Sequence, residues 1–300
     1  MKDMETDYSK KNYYHVCSEG TRCDLLFTNE IQFAAGMNII ALAVYQSKIE
    51  ILAFCIMNNH FHFLVNSNLA TIELFIKKIN QCYFVRRKHW LAAVSKSDEL
   101  KWDAIPIKKS EHLLNAIAYI LRNPMDAFYD KSIFNYKWGT AMLYFREPED
   151  IQDIIGRCKT IKQLGVSATR RILGTRNELP DHWLVTSKGY VWPGSYIDPH
   201  YVEGIFGTFH QFLYYMSSKR ESKSFELQYQ YRQRVVIPDI QMKEMVVQAC
   251  GELFNKSKLS DLTLDQKCDV AEYLIKKYGC HQKQLFRLMQ LDFKAPEDVE

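Results

Sequence analysis

No Cys-x-x-Cys pair and no zinc-ribbon spacing occurs among the eight cysteines of this 300-residue chain, which stand at 17, 23, 55, 82, 158, 250, 268 and 280. A closed zinc module is therefore not indicated. No apolar run approaches the roughly 20 residues that span a bilayer. The opening Met1-Lys2-Asp3-Met4-Glu5 lacks an apolar secretion segment, so reduced thiols in a cytoplasm are the expected setting. A Gly-x-x-x-x-Gly-Lys loop is missing as well, and with it any sign of ATP-driven chemistry. There is little excess of either charge: 39 Lys and Arg against 35 Asp and Glu leave a net +4, which permits nucleic-acid binding without arguing for it. What is present, 47% apolar and 25% charged residues, is ordinary globular composition for one large domain or two smaller ones.

Against that background His60-Phe61-His62 is the most informative feature. It follows the apolar run from Ile51 to Met57 and the turn-forming Asn58-Asn59. Side chains alternate along a strand, so two histidines one residue apart share a face, while Phe61 and Phe63 anchor the other face in a core. Two neutral imidazoles side by side make half of a divalent-metal site.

The surrounding pattern predicts a small sheet with helices. Residues 11 to 18 read as a first strand, and Thr28 or Asn29 caps a helix from about Glu30 to Gln46. Lys48 to Met57 and His60 to Asn66 read as a hairpin, followed by a long helix from about Leu69 to Leu91. Asp103 to Ile107 is a Pro-containing edge strand. A helix from about Ser110 to Arg122 follows, with Pro124 as its stop. This order is that of an α+β fold, a ferredoxin-like split βαβ antiparallel sheet with helices on one face and a further helix beside it. The expected domains are 1–146, a mainly helical middle region at 147–238 with one helix over 147–174, another over 201–218 and no legible motif, and a helical tail at 239–300. In the tail, Thr263 and Gln266 have capping-box spacing. A helix, a turn at Tyr278-Gly279-Cys280 and a last helix together match a helix-turn-helix. Nine Lys and Arg against eleven Asp and Glu from residue 239 onward weaken a DNA role for that tail.

Tyr119 and Asn123, four apart, lie on one helical face. If that face meets the histidine strand, the asparagine oxygen becomes a third ligand and the phenol lies beside the metal. Two imidazoles and an oxygen suit Mg²⁺ or Mn²⁺, with positions left for water and a substrate phosphate.

Four stretches carry a family resemblance: Tyr14-His15-Val16, Met57 to Val65, Tyr119-Ile120-Leu121-Arg122-Asn123-Pro124, and Tyr136-Lys137-Trp138-Gly139. Together, over residues 11 to 145, they closely resemble the single-tyrosine HUH transposases, in the branch called REP-associated tyrosine transposases. Asn58 stands where that family usually has proline, and Gly139 where serine is common. The resemblance implies that His60, His62 and Asn123 bind Mg²⁺ or Mn²⁺ and that Tyr119 is the nucleophile. It also implies transesterification of single-stranded DNA bearing hairpins or inverted repeats, through a 5′-phosphotyrosine link, by a monomer or homodimer. Arg86, Arg87, Lys88, Lys108, Lys109 and Arg122 are candidate DNA contacts, and the last helix adds Gln282, Lys283 and Arg287. His15 reads as packing or a DNA contact. Two other functions fit the same motifs: a DNA-binding regulator that keeps the fold, and a replication or transfer nickase.

Overall fold

The computed structural model describes residues 12–18, 26–90, 102–108, 110–126, 132–217, 239–278, 280 and 282–291. Its centre is a four-stranded antiparallel sheet of β1 (Asn12–Ser18), β2 (Glu50–Ile56), β3 (Phe61–Ser67) and β4 (Trp102–Ile107), in the order β2-β3-β1-β4. That order is the split βαβ arrangement. Helix α1 (Glu30–Ser47) joins β1 to β2, and α2 (Leu69–Trp90) joins β3 to β4. Asn29 caps α1 by accepting the Gln32 N–H at 3.0 Å. Phe61 and Phe63 project to the side covered by these two helices, where Phe63 packs edge-on against Phe75 of α2 at 5.1 Å. Helix α3 (Ser110–Asp126) packs on the sheet from the opposite side, over the face that carries His15 and His62.

Helix α3 does not stop before Pro124 as the sequence suggests; it runs through it to Asp126. The proline removes the one N–H that would donate to the Ile120 carbonyl, and only Met125 and Asp126 follow it in the helix. One turn back, the Asn123 side-chain amide donates to the Tyr119 carbonyl at 2.9 Å and covers a backbone acceptor there.

The outer edge of β2 is closed by the segment 136–144. Ile56 N–H donates to the Trp138 carbonyl at 2.9 Å, Thr140 N–H donates to the Phe54 carbonyl at 3.1 Å, and Cys55 bridges Gly139. An added Cβ on Gly139 would sit 3.0 Å from the Phe54 oxygen, so this close crossing favours the smallest residue. Covering an edge strand in this way removes a row of free backbone groups.

The middle region is less continuous than its sequence implies. In place of one helix over 147–174 there are α4 (Pro148–Gly156) and α5 (Ile161–Leu173), separated by β5 (Lys159–Thr160), which pairs with β6 (Leu184–Val185). In place of one helix over 201–218 there are α6 (Pro199–Phe206) and α7 (Phe209–Ser217), broken at Gly207 with φ 72°. The region has a structural role, because Ile161, Leu173, Trp183, Val185 and Val191 bury Ala41 and Leu42 on the outer side of α1. Asn38, buried on α1, pins it there. Its amide donates to the carbonyls of Gly189 (2.9 Å) and Ile172 (3.3 Å), and its oxygen accepts from Val191 N–H at 2.8 Å.

The tail forms α8 (Asp239–Phe254), α9 (Leu264–Tyr278) and α10 (Gln282–Met289) around a separate cluster that includes Met242, Val246, Leu274, Leu285 and Met289. The capping box of α9 is present in both directions, Gln266 N–H to Thr263 Oγ1 at 3.3 Å and Thr263 N–H to Gln266 Oε1 at 3.1 Å.

Because Asn38 satisfies three backbone groups inside an apolar layer, Asn38→Ala should destabilise the protein by about 2–4 kcal/mol in urea denaturation. A loss under about 0.5 kcal/mol, the range of ordinary surface changes, would contradict this anchoring role.

Candidate active site

The strand register fixes what surrounds His62. Cys17 of β1 lies opposite it on one side and Cys55 of β2 on the other, while His15 pairs with Leu64. His15, Cys17 and His62 therefore share the face that α3 covers, and His15 and His62 are fully buried. His15 Nε2 and His62 Nδ1 are hydrogen-bonded at 3.0 Å, with the rings stacked at 5.2 Å. His60, just before the strand, keeps partial contact with solvent, and its ring meets that of His62 edge-on at 4.8 Å. The Tyr119 ring lies edge-on to both buried imidazoles, with centroids 5.4 Å from His62 and 5.8 Å from His15.

Asn123 completes the group. A carbonyl can only accept, so the end of its carboxamide that faces the Tyr119 oxygen must be the NH₂, which turns Oδ1 away. The Asn123 side chain acts on both His60 and His62 in the direction that raises their pKa, as an acceptor oxygen does. The larger effect is burial, which lowers His60 to about 4, His15 to about 3 and His62 well below its usual range. All three rings are thus neutral at physiological pH, with a lone pair free of proton competition. Nε2 of His62 is buried and makes no hydrogen bond of ordinary geometry among the described residues, the Asn123 carboxamide being near without closing one.

An orphaned ring nitrogen beside a second imidazole and a carboxamide oxygen fits a divalent cation. His60, His62 and Asn123 would hold it. A second donor set exists around the same ring: ligand atoms of His15, Cys17 and His62 lie within 4.8 Å of one another. Its thiol suits a softer ion, and it draws on two rings that are already hydrogen-bonded to each other.

His15 and Cys17 were not legible as members of this site from the sequence. The signal was their place at alternate positions of β1, but only the register with β3 shows which strand they face. The proposed DNA contacts fare unevenly. Arg122 is buried, 3% exposed, and cannot lie along a strand of DNA at the surface. Arg86 donates to the Ile172 carbonyl at 3.0 Å, which ties the end of α5 to α2. Arg287 pairs with both oxygens of Asp239, at 2.7 and 2.8 Å. Lys108 is exposed at the end of β4. Lys109 lies outside the described residues, as do the side chains of Arg87, Lys88, Gln282 and Lys283.

The chain matches no protein-family model and no curated protein. Among solved structures it is similar to a REP-associated tyrosine transposase bound to a REP hairpin. Identity is 14% and the TM-score 0.36, over 47% of this chain and 84% of that one. No described helix is long and apolar enough to cross a membrane.

Burial of neutral histidines sets the sign of an acid effect. Below pH 6.5 the unfolded chain takes up protons on His15, His60 and His62; in the folded chain His60 accepts one only at about 4 and His15 at about 3, and burial holds His62 well below its usual range. The unfolded state then binds more protons, so stability is complete above pH 6.5 and falls as the pH drops through that window. Urea midpoints of metal-free protein should decline steadily from pH 6.5 to about 4; a flat profile there would overturn the assignment of three neutral rings.

Proposed function

We propose that this protein is a metal-dependent transposase or endonuclease of single-stranded DNA, cutting and rejoining strands through Tyr119. One observation carries the reading: α3 sets the Tyr119 ring and the Asn123 carboxamide against a pair of imidazoles that keep a nitrogen available. The sequence motifs on these elements resemble those of the single-tyrosine HUH transposases, which implies the same roles here.

In this reading Tyr119 Oη attacks a backbone phosphorus. The Oη–P bond forms, the P–O3′ bond breaks, the phenol proton is lost and the departing 3′-oxygen takes one up. The DNA is left with a 5′-phosphotyrosine link and a free 3′-hydroxyl, so the bond energy is retained for rejoining. Free tyrosine titrates near 10, so the phenol needs help at neutral pH. A divalent cation on His60, His62 and Asn123 would supply Lewis-acid polarisation of the phosphate. His62 and His60 contribute by staying neutral and fixed, and the Phe61 and Phe63 anchors hold their strand still. Lys108, exposed at the end of β4 away from Cys17 and His62, is a candidate contact for DNA backbone at a distance from the cut. Hairpin-bearing strands are the substrate that the family resemblance implies.

Incubating the full chain and Mn²⁺ with labelled hairpin-bearing single strands from around its own gene should give a covalent adduct that resists denaturation. Tyr119→Phe should abolish it, and His62→Ala or Asn123→Ala should slow it by about 10²–10³-fold. An adduct that survives Tyr119→Phe, or none with the native chain on any strand tested, would defeat the proposal.

A further inference from the structure

The turn that delivers His60 is also where the C-terminal helical unit docks. Asn58 and Asn59 are both buried, 6% and 5% exposed, although they occupy the tip of the β2–β3 hairpin. Both meet the end of α9. The Asn58 amide donates to the Lys277 carbonyl, and the Asn59 amide donates to the Tyr278 carbonyl at 3.4 Å. The last four carbonyls of a helix have no partner within it, so these two asparagines serve as a C-cap supplied from another part of the chain. The main chain of the turn is held separately: Met57 N–H donates to the His60 carbonyl at 2.7 Å, and the Asn58 carbonyl accepts from Leu26 and Phe27 at 2.6 and 3.0 Å.

The orientation of Asn59 has a consequence for His60. The end of its carboxamide facing the Tyr278 carbonyl must be the NH₂, since that carbonyl can only accept. Oδ1 then faces His60 Nδ1, at 2.7 Å. An oxygen acceptor requires that Nδ1 carry the proton, which leaves the Nε2 lone pair for a metal. A free neutral imidazole prefers the opposite tautomer. Metal-bound histidines are commonly set in this way by a partner on the other ring nitrogen.

We propose that Asn59 is a positioning residue through which the docked C-terminal unit holds His60 in its metal-binding tautomer, with Asn58 clamping the helix end in place; the metal role of His60 rests on the function proposed above. The asparagine at 58, where the resembling family usually has proline, is then accounted for, because a proline has no amide to donate to Lys277. The C-terminal unit has its own apolar cluster, and among the described residues the Asn59 carboxamide joins its helix end to the His60 ring.

Long-range proton–nitrogen spectra of metal-free, full-length protein read the His60 tautomer directly, and calorimetry with Mn²⁺ alone reads affinity. The native chain should show Nδ1–H at His60. Asn59→Ala should shift it to Nε2–H and weaken Mn²⁺ binding about 10- to 100-fold. Asn59→Asp keeps an oxygen for the ring and should retain Nδ1–H, which separates positioning from a general loss of structure. Asn58→Ala touches neither ring nor partner, yet should weaken Mn²⁺ binding by about 2- to 5-fold and speed hydrogen exchange at the end of α9. Nε2–H at His60 in the native chain, or native Mn²⁺ affinity and exchange in Asn58→Ala, would overturn the proposal. A native chain that shows Nδ1–H and the Asn59→Ala shift but binds no Mn²⁺ would support the tautomer control and count against the metal reading instead.

Discussion

Strand β3 carries two surfaces that must not be exchanged, and the rest of the molecule depends on keeping them apart. Phe61 and Phe63 face α1 and α2, where aromatic and aliphatic side chains close over them. His62 faces α3, where the contacts are a phenol, another imidazole and a carboxamide. A slip of one residue in the register would drive the imidazole into the apolar layer and the phenylalanines into the polar site. The pairing of His62 with Cys17 and Cys55 on its two sides prevents this. Those two thiols are also small enough to let α3 come down onto the face between the rings. The sheet therefore builds its core and its site from the same short strand.

How far this could be read from the sequence follows from the range of the forces involved. Strands and helices of the first half are set by local alternation and caps, and Asn29 and the hairpin at Asn58-Asn59 appear as expected. His60, His62, Tyr119 and Asn123 were nameable because each pair is close in sequence, and the structure brings the two pairs together. His15 escaped because its role comes from pairing across 47 residues, which no local pattern encodes. Pro124 misled for a related reason: a proline stops a helix by default, but packing of α3 on the sheet outweighs the one helical bond that the ring removes. Arg86 and Arg122 misled because charge in a sequence suggests solvent, whereas here one guanidinium caps the end of α5 and the other is enclosed. The middle region has no motif to find, since it serves to cover the outer side of α1 through Asn38 and an apolar patch.

A site buried this deeply carries a cost that bears on how it works. Three imidazoles held neutral, together with a carboxamide, place several polar groups in a layer that would be cheaper as leucine and valine. Part of that cost is offset by mutual hydrogen bonds, His15 to His62 and Asn59 to His60. Part is left in the Nε2 of His62, which has no bond of ordinary geometry among the described residues. A cation bound there would satisfy that nitrogen and stabilise the folded chain by mass action. Desolvation thus acts twice in one direction. It keeps the rings unprotonated, so no imidazolium proton has to be displaced on binding, and it would strengthen every electrostatic contact of a cation held there. The partial exposure of His60, against the full burial of His62 and His15, marks the side from which a substrate could approach. That same side is the one that the end of α9 flanks through Asn58 and Asn59. The solvent-facing side of the site and the hydrogen bond on its outermost imidazole therefore meet at one place, where the N-terminal half of the chain touches its tail.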